Sequence, residues 1–189
     1  MTSRHIPLEG TPNLRDLGGY ATQCGRTVRH NRVFRSGSLA YLSDRDWEAL
    51  ARLNIKVICD FRYSAERAQE QTKVPNGLGI EIVNLDINAG NHVEFIQNAL
   101  HIENSDEGVM EGFMRNINRM FALEFQSSFA GFFEQLDKVD DANSLLFHCS
   151  AGKDRTGFAA AMFLSCLNVD RDTVISDYLL TSQYYRPEV

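Results

Sequence analysis

The sequence contains no hydrophobic run long enough to cross a bilayer. Its longest apolar stretch, Phe158 to Leu167, is about ten residues long and includes Ser165, whereas a membrane-spanning helix needs about 20 apolar residues. The opening residues, MTSRHIPLEG, also lack the apolar segment of a secretory signal. We therefore expect a soluble, cytoplasmic protein with no integral membrane part, and secretion without a signal peptide stays open.

Positive charge is in the minority. The chain has 25 acidic residues against 19 lysines and arginines, a formal net charge of −6. Because binding to nucleic acid depends on a basic surface, no nucleic-acid partner is expected. The balance still allows a local basic pocket.

Cysteine pairs and linkers are absent as well. The four cysteines form no C-x-x-C motif. In a chain long enough to build a core without crosslinks, they indicate reduced thiols rather than a disulfide framework. No repeat, low-complexity tract or linker rich in proline and glycine divides the 189 residues. We therefore predict a single domain over 1–189.

Short β-branched runs alternate with helical patterns along most of the chain. A β-hairpin is predicted over Asn13 to Arg35, where glycines separate short β-like runs. Buried strands are predicted at 55–61, 80–87 and 144–148. Helices are predicted at 43–53, 65–71, 92–101, 158–167 and 170–180, with one helix or a pair at 108–137. This alternation predicts an α/β fold, with a central, mainly parallel β-sheet flanked by α-helices and a helical insertion at 88–125.

The stretch HCSAGKDRTG, His148 to Gly157, directly follows the third predicted strand. Ligands of such sheets bind beyond the carboxyl ends of the strands, so this loop is the first candidate for a binding site. A nucleotide-binding loop would read G-x-x-x-x-G-K followed by Ser or Thr. Here Lys153 is followed by Asp154, and Phe147 stands at the position of the first glycine. The nucleotide interpretation is therefore rejected.

Cys149 and Arg155 stand in a C-x5-R spacing between a strand and a helix. A loop of this kind can wrap its amides around a tetrahedral dianion at the positive end of the helix, and Arg155 can hold two phosphoryl oxygens. The same field stabilises a Cys149 thiolate, which can attack phosphorus and form a phospho-cysteine that water hydrolyses. Since Arg155 and the amides carry the charge that Mg²⁺ would supply, no metal and no cofactor are expected. The phosphate-binding amides are those of Ser150, Ala151, Gly152 and Lys153.

These residues resemble the cysteine-based protein tyrosine phosphatases. The signature of the atypical bacterial branch, HC-x-x-G-K-D-R-T-G, is complete from His148 to Gly157. The segments NLRDLGGY (13–20), RSGSLAYL (35–42) and VICDFRYSAE (57–66) are also similar to that branch. The resemblance covers most of the chain except its helical middle. It implies that Cys149 is the nucleophile, that Arg155 binds phosphate, that Thr156 hydrogen-bonds the sulfur and that His148 orients the loop.

The resemblance leaves two candidates for the general acid. Asp154 lies inside the signature, and Asp86 lies at the end of the second predicted strand, where many tyrosine phosphatases bring in an aspartate on a separate loop. A general acid must reach the leaving oxygen in its protonated form. We favour Asp154 and keep Asp86 in reserve. The alternative role of Asp154 is to stabilise the helix dipole, and that of Asp86 is to form a turn.

Lys153 bears on the substrate. The tensin-type lipid phosphatases also carry a lysine at this position, and a second cation beside the arginine suits a polyanionic substrate. The expected partner is therefore a phosphorylated protein, with phosphotyrosine, phosphoserine or phosphothreonine, or a phosphoinositide.

The helical middle could form a lid over the pocket. Its apolar cover would consist of Phe95, Phe113, Met114 and Phe121.

Two other functions compete with hydrolysis. A rhodanese-like sulfurtransferase also places a cysteine between a strand and a helix, but the spacing to Arg155, followed by Thr156, favours phosphate. A pseudophosphatase that only binds phosphorylated partners typically lacks the cysteine, the arginine or the acid, and all three are present. The oligomeric state stays open, as does a protective disulfide between Cys59 and Cys149.

Two further charged pairs are expected to brace the site. Arg15 and Asp16 are expected to form an ion pair or turn contacts in the hairpin. Asp60 and Arg62 are expected to do the same at the end of the strand at 55–61, with Arg62 in the pocket as the alternative.

Overall fold

A computed structural model describes residues 4–88 and 107–185. Its centre is a five-stranded sheet in the order β1-β2-β5-β3-β4. The strands are β1 (Arg15–Asp16), β2 (Val33–Ser36), β3 (Ile55–Asp60), β4 (Glu81–Asn84) and β5 (Ser144–His148). Only the β1–β2 pair is antiparallel, and the other three pairs are parallel. The predicted mainly parallel sheet is therefore confirmed.

Seven helices are described around this sheet. They are α1 (Asp44–Arg52), α2 (Ser64–Gln69), α3 (Glu107–Glu124), α4 (Gln126–Leu136), α5 (Asp154–Cys166), α6 (Arg171–Leu179) and α7 (Thr181–Tyr184). The helix expected near 92–101 lies outside the described residues. Among those residues, no helix is both long and apolar enough to span a membrane.

Apolar side chains bury both faces of the sheet. One cluster joins Phe61, Phe121, Phe132 and Phe147 to residues of α3 to α6. The other packs Trp47 and Leu50 of α1 and residues of the N-terminal segment against the opposite face. Phe121 is fully buried and Met114 packs against the first cluster. The rest of the predicted lid cover, Phe95 and the side chain of Phe113, lies outside the described part of the chain.

The strand and helix predictions differ from the structure mainly at their ends. The strand expected at 80–87 ends at Asn84, and its predicted burial is wrong: Glu81 and Asn84 are exposed and the two residues between them are half-buried, because β4 lies at the edge of the sheet. The segment 108–137 forms the expected pair, α3 and α4. The four parallel strands end together at Ser36, His148, Asp60 and Asn84. The segments that follow those residues therefore meet at one edge of the sheet.

Candidate active site

The loop after β5 is held by its carbonyl groups. The carbonyl of Ser150 accepts a hydrogen bond from the amide of Ser38 at 2.8 Å. The carbonyl of Gly152 accepts one from Asn13 Nδ2 at 2.9 Å and one from Arg35 Nη2 at 3.0 Å. The amides of 150–153 donate no hydrogen bond to any residue that the structure describes. These amides are therefore available to an anion, directly before the N-terminus of α5.

Gly152 is required by this geometry. Its φ is +66°, a left-handed backbone conformation that residues other than glycine rarely adopt. A Cβ at this position would lie 2.4 Å from the carbonyl oxygen of Ser36, at the end of β2. The loop can therefore pack against the strand only because residue 152 has no side chain.

Cys149 and Thr156 lie at the base of the loop. The Cys149 side chain follows the last residue of β5 and is 2 % exposed. Thr156, in the first turn of α5, is fully buried, and its hydroxyl has no hydrogen-bond partner among the described residues. The hydrogen bond that the resemblance implied between this hydroxyl and the sulfur is therefore not formed in this structure.

Arg155 is paired with a residue that the sequence analysis did not single out. Its Nη1 and Nη2 donate to Glu66 Oε2 and Oε1 at 2.6 and 2.7 Å, and Ser150 Oγ donates to the same carboxylate at 2.7 Å. Arg155 Nε donates no hydrogen bond to any of the described residues. Nη1 also donates to the carbonyl of Ile87 at 3.2 Å, and Nη2 donates to Ser150 Oγ at 3.4 Å. One edge of the guanidinium therefore holds Glu66, while the edge formed by Nε and Nη2 has only the long contact with Ser150 and can receive a second oxyanion in its place.

The Arg155–Glu66 pair fixes the charge of both groups. Burial alone would raise the pKa of Glu66, but the hydrogen bonds and charge of Arg155, with bonds from Ser150 and Tyr63, lower it. Burial alone would lower the pKa of Arg155, but Glu66 and the charge of Cys149 raise it. Both groups therefore stay ionised near neutral pH.

Behind the loop, His148 contacts a buried ion pair. His148 is fully buried, its Nδ1 lies 3.1 Å from the Cys149 carbonyl, and its Nε2 lies 3.6 Å from Asp60 Oδ2. Asp60 pairs with Arg62 at 2.7 Å, and the remaining donors of Arg62 bind Ser38, Thr72 and the carbonyl of residue 70. Arg62 is 1 % exposed. It therefore braces the loop from behind and does not line the pocket.

A second buried ion cluster supports Gly152 from below. Asp177 of α6 lies 2.8 Å from Arg35 Nη1 and 3.8 Å from Arg15 Nη2, and it accepts a hydrogen bond from Tyr20 at 2.9 Å. Both arginines are fully buried and Asp177 is 2 % exposed. Arg35 thus links this carboxylate directly to the Gly152 carbonyl.

The expected ion pair between Arg15 and Asp16 is wrong, because the two side chains have different partners. Arg15 binds Asp177. Asp16 accepts from the amides of Gly18 and Asn31 at 2.9 and 3.0 Å and contacts His30. Adjacent residues of a strand point to opposite faces, which separates the two side chains. The turn contacts expected for Asp16 are confirmed.

The two candidate acids occupy different settings. Asp154 is half-buried in the first turn of α5 and accepts a hydrogen bond from the Tyr178 hydroxyl at 3.4 Å. Burial and the Asp154 charge raise the pKa of Tyr178 to about 12, so the phenol remains a donor. Asp86 is 47 % exposed and pairs with Arg67 at 2.7 Å. Lys153, at the end of the loop, is exposed.

The thiols differ sharply in their surroundings. All four cysteines are free, with Cys24 and Cys166 exposed and Cys59 and Cys149 buried. Burial raises the pKa of Cys59 to about 12, while a hydrogen bond with Thr22 lowers that of Cys24. The Cys59 thiol therefore stays protonated near neutral pH, and a disulfide between Cys59 and Cys149 stays a prediction.

Iodoacetamide at neutral pH is expected to alkylate Cys24 and Cys166 in the folded protein and to leave Cys59 unmodified. The thiolate fraction of Cys59 is lower than that of an ordinary thiol by roughly a thousandfold, and the sulfur is also shielded. Peptide mass mapping over time measures each site, and the denatured protein supplies the fully labelled control. Labelling of Cys59 at the rate of Cys166 would contradict the burial.

Glu66 and Asp177 are the residues that sequence reasoning missed. Glu66 closes the segment VICDFRYSAE, so it lay within the resemblance but carried no assigned role. Asp177 lies in no motif, and its partners Arg15 and Arg35 are more than 140 residues away along the chain. A signal for Glu66 was therefore present in the sequence, whereas none was visible for Asp177.

Comparison with known proteins gives the following matches. The family model described as the tyrosine phosphatase family matches residues 6–189. A protein of Cupriavidus necator named as a tyrosine-protein phosphatase is 35% identical over 181 residues, covering 95% of this chain and 64% of that protein. The triple specificity protein phosphatase PtpB of Mycobacterium tuberculosis is 29% identical over 196 residues, and the match covers 95% of this chain and 69% of that protein. A solved structure of kinase associated phosphatase has a TM-score of 0.49 and 15% identity, and the match covers 92% of this chain and 83% of that structure's chain.

The chain therefore spans less than two thirds of the length of the Cupriavidus relative. The family match nevertheless extends over almost the whole chain, and it includes the loop and both buried ion clusters beneath it. The family expected from the HC-x-x-G-K-D-R-T-G signature is confirmed: the chain belongs to the tyrosine phosphatase family.

Proposed function

We propose that this protein hydrolyses phosphomonoesters through a phospho-cysteine intermediate. The observation that carries the proposal is the loop itself. Its carbonyls bind Ser38, Asn13 and Arg35, while its amides have no partner among the described residues. Unpaired amides at a helix N-terminus, beside an arginine whose Nε and Nη2 make only one long contact on that edge, form a site for a tetrahedral dianion.

The proposed reaction has two steps. Cys149 Sγ, as a thiolate, attacks phosphorus, so that the S–P bond forms and the bond to the leaving oxygen breaks while an acid protonates that oxygen. Water then attacks phosphorus, the S–P bond breaks and the thiolate leaves with inorganic phosphate as the product. In both steps Arg155 would bind phosphoryl oxygens through Nε and Nη2, and Glu66 would hold the guanidinium in place. His148 would hold the backbone of Cys149 through its carbonyl, and the Thr156 hydroxyl would have to turn toward the sulfur to assist its departure.

We assign the general acid to Asp154. It lies at the start of α5, immediately beside Arg155, and the Tyr178 hydroxyl limits its orientation. The carboxylate of Asp86 is already bound to Arg67. A general acid needs a carboxyl group free to reach the leaving oxygen, which favours Asp154.

Asp154→Asn is expected to lower kcat for phosphotyrosine peptides by about 10²- to 10⁴-fold, the usual contribution of a general acid. The loss should be smaller with para-nitrophenyl phosphate, because nitrophenolate leaves without a proton. Steady-state kinetics of both substrates measure the difference, with Asp86→Asn as the matched variant. A large loss in Asp86→Asn together with full activity in Asp154→Asn would reverse the assignment.

A phosphoinositide is the second candidate substrate, because the exposed Lys153 places an additional cation at the end of the loop. A panel of phosphotyrosine, phosphoserine and phosphothreonine peptides and phosphoinositide vesicles, assayed for phosphate release in EDTA, tests the proposed function. Release from at least one substrate supports it. Absence of turnover throughout, or turnover only with added Mg²⁺, overturns it. Tight binding without release would identify a module that only binds phosphorylated ligands.

The sulfurtransferase alternative has no support from the family match. Transfer of sulfur from thiosulfate to cyanide by the purified protein would be required to revive it.

A further inference from the structure

A groove of about 820 Å³ opens directly beside the loop. Ser150 and Ala151 of the loop line it. Its other walls come from residues between 5 and 12, from the turn after β2, from the residue that follows α2 and from residues 183–185. A substrate with its phosphoryl group in the loop would therefore extend along these walls.

The described residues that line the groove include no lysine or arginine. They include two carboxylates, Glu9 and Glu70. The imidazole of His5 stacks on Tyr184 at a centroid distance of 4.3 Å, and burial and the charge of Arg15 lower its pKa. Glu9 pairs with Arg45 at 3.9 Å, whereas Glu70 forms no ion pair with any residue that the structure describes. Among the described lining residues, Glu70 therefore supplies an uncompensated negative charge near neutral pH, in a protein whose formal net charge is −6.

Glu70 and Tyr41 are held together at the rim. The Tyr41 hydroxyl donates to Glu70 Oε1 at 3.1 Å, and Ser38 Oγ donates to Glu70 Oε2 at 3.3 Å. The amide of Ser38 binds the Ser150 carbonyl, so this carboxylate is connected to the phosphate loop through a single residue. The ring of Tyr41 is 68 % exposed. An aromatic ring beside a carboxylate is a favourable site for a guanidinium or an ammonium group.

Resting on the proposed function, we propose that the groove binds the residues that flank the phosphorylated side chain of a peptide, and that Glu70 and Tyr41 select a basic residue among them. An arginine or lysine there would meet the carboxylate and the ring while the phosphoryl group occupies the loop. A headgroup with several phosphates would instead place its additional negative charge against Glu70. The charge of the groove thus favours a phosphopeptide over a phosphoinositide.

Phosphotyrosine peptides on an alanine scaffold test this inference, with arginine placed in turn at about three positions on each side. The measured quantity is kcat/KM for each arginine peptide divided by that for the all-alanine peptide. We expect a rise of about five- to tenfold at one position or more, since an exposed ion pair and a cation–π contact together are worth about 1 to 1.4 kcal/mol. In Glu70→Gln the rise should fall below about twofold, and Tyr41→Ala should reduce it as well.

Glu134→Gln is the matched control, because Glu134 is exposed on α4 and does not line the groove. It should keep the full arginine preference. Equal rates for all peptides, or a preference that survives in Glu70→Gln, overturns the inference. Higher kcat/KM for phosphoinositide vesicles than for every peptide also overturns it. Turnover of para-nitrophenyl phosphate by each enzyme separates these outcomes from a failure of the proposed function, in which that substrate would not be cleaved either.

Discussion

Cys149→Ser is expected to lower phosphatase turnover by at least about a thousandfold, the scale of losing a nucleophile in covalent catalysis. Sulfur is a far stronger nucleophile than the hydroxyl oxygen that replaces it, and a serine has no adjacent general base among the loop residues proposed to act here. The side chain is 2 % exposed and sits at the base of a loop whose carbonyls are bound elsewhere. The loop should therefore keep its shape in the variant. Phosphate release from phosphotyrosine peptides measures the loss.

Binding separates this effect from unfolding. The serine variant should still bind a phosphotyrosine peptide, because the amides and Arg155 are unchanged, and calorimetric titration measures that affinity. Cys166→Ser supplies the matched control, since that thiol is exposed at the end of α5. It should retain the activity of the native protein. Full turnover in Cys149→Ser would show that the reaction does not proceed through a phospho-cysteine.

Asp177→Asn is expected to lower the free energy of unfolding by about 3–5 kcal/mol, the usual cost of breaking a buried ion pair from one side. Arg15 and Arg35 are both fully buried, and among the described residues Asp177 is the only carboxylate that forms an ion pair with either of them. The substitution removes that carboxylate's charge. Arg35 also donates to the Gly152 carbonyl. The phosphate loop should therefore loosen together with the fold, and KM for a phosphotyrosine peptide should rise.

Urea unfolding measures the first effect as a shift in midpoint at constant slope. Glu111→Gln is the control, because it removes an exposed ion pair with Arg115 on α3 and should cost less than about 0.5 kcal/mol. A double-mutant cycle with Arg15→Met tests the mechanism, since removal of one buried positive charge should recover part of the loss. A cost in Asp177→Asn equal to that of the control would show that the cluster contributes little to stability.

The fold was largely predictable because its signals are local. The strand at 144–148 and the helix after the loop can each be recognised from a short apolar run, without knowledge of the distant residues that later bury them. The capping box of Ser43 and Asp46 places the start of α1. The prediction was less accurate at β4, because periodicity cannot show that a strand lies at the edge of a sheet.

The candidate site was predictable in part for the same reason. Cys149, the loop amides and Arg155 lie within seven consecutive residues, and their spacing is enough to indicate an oxyanion site. The partners of that loop are spread over the whole chain. Glu66 on Arg155, Arg35 on Gly152 and the groove at Glu70 depend on which strands end at the same edge of the sheet, and the strand order β1-β2-β5-β3-β4 is not visible in the sequence.

The sequence by itself determined the α/β class, the family and the position of the candidate loop, because these depend on residues that are close together along the chain. The tertiary structure decided what holds the loop and what surrounds it. It bound one edge of Arg155 to Glu66, buried two arginines around Asp177 and placed an acidic, aromatic groove beside Ser150. These arrangements depend on long-range packing, where the burial of a charge requires a partner that only the folded chain can bring within reach.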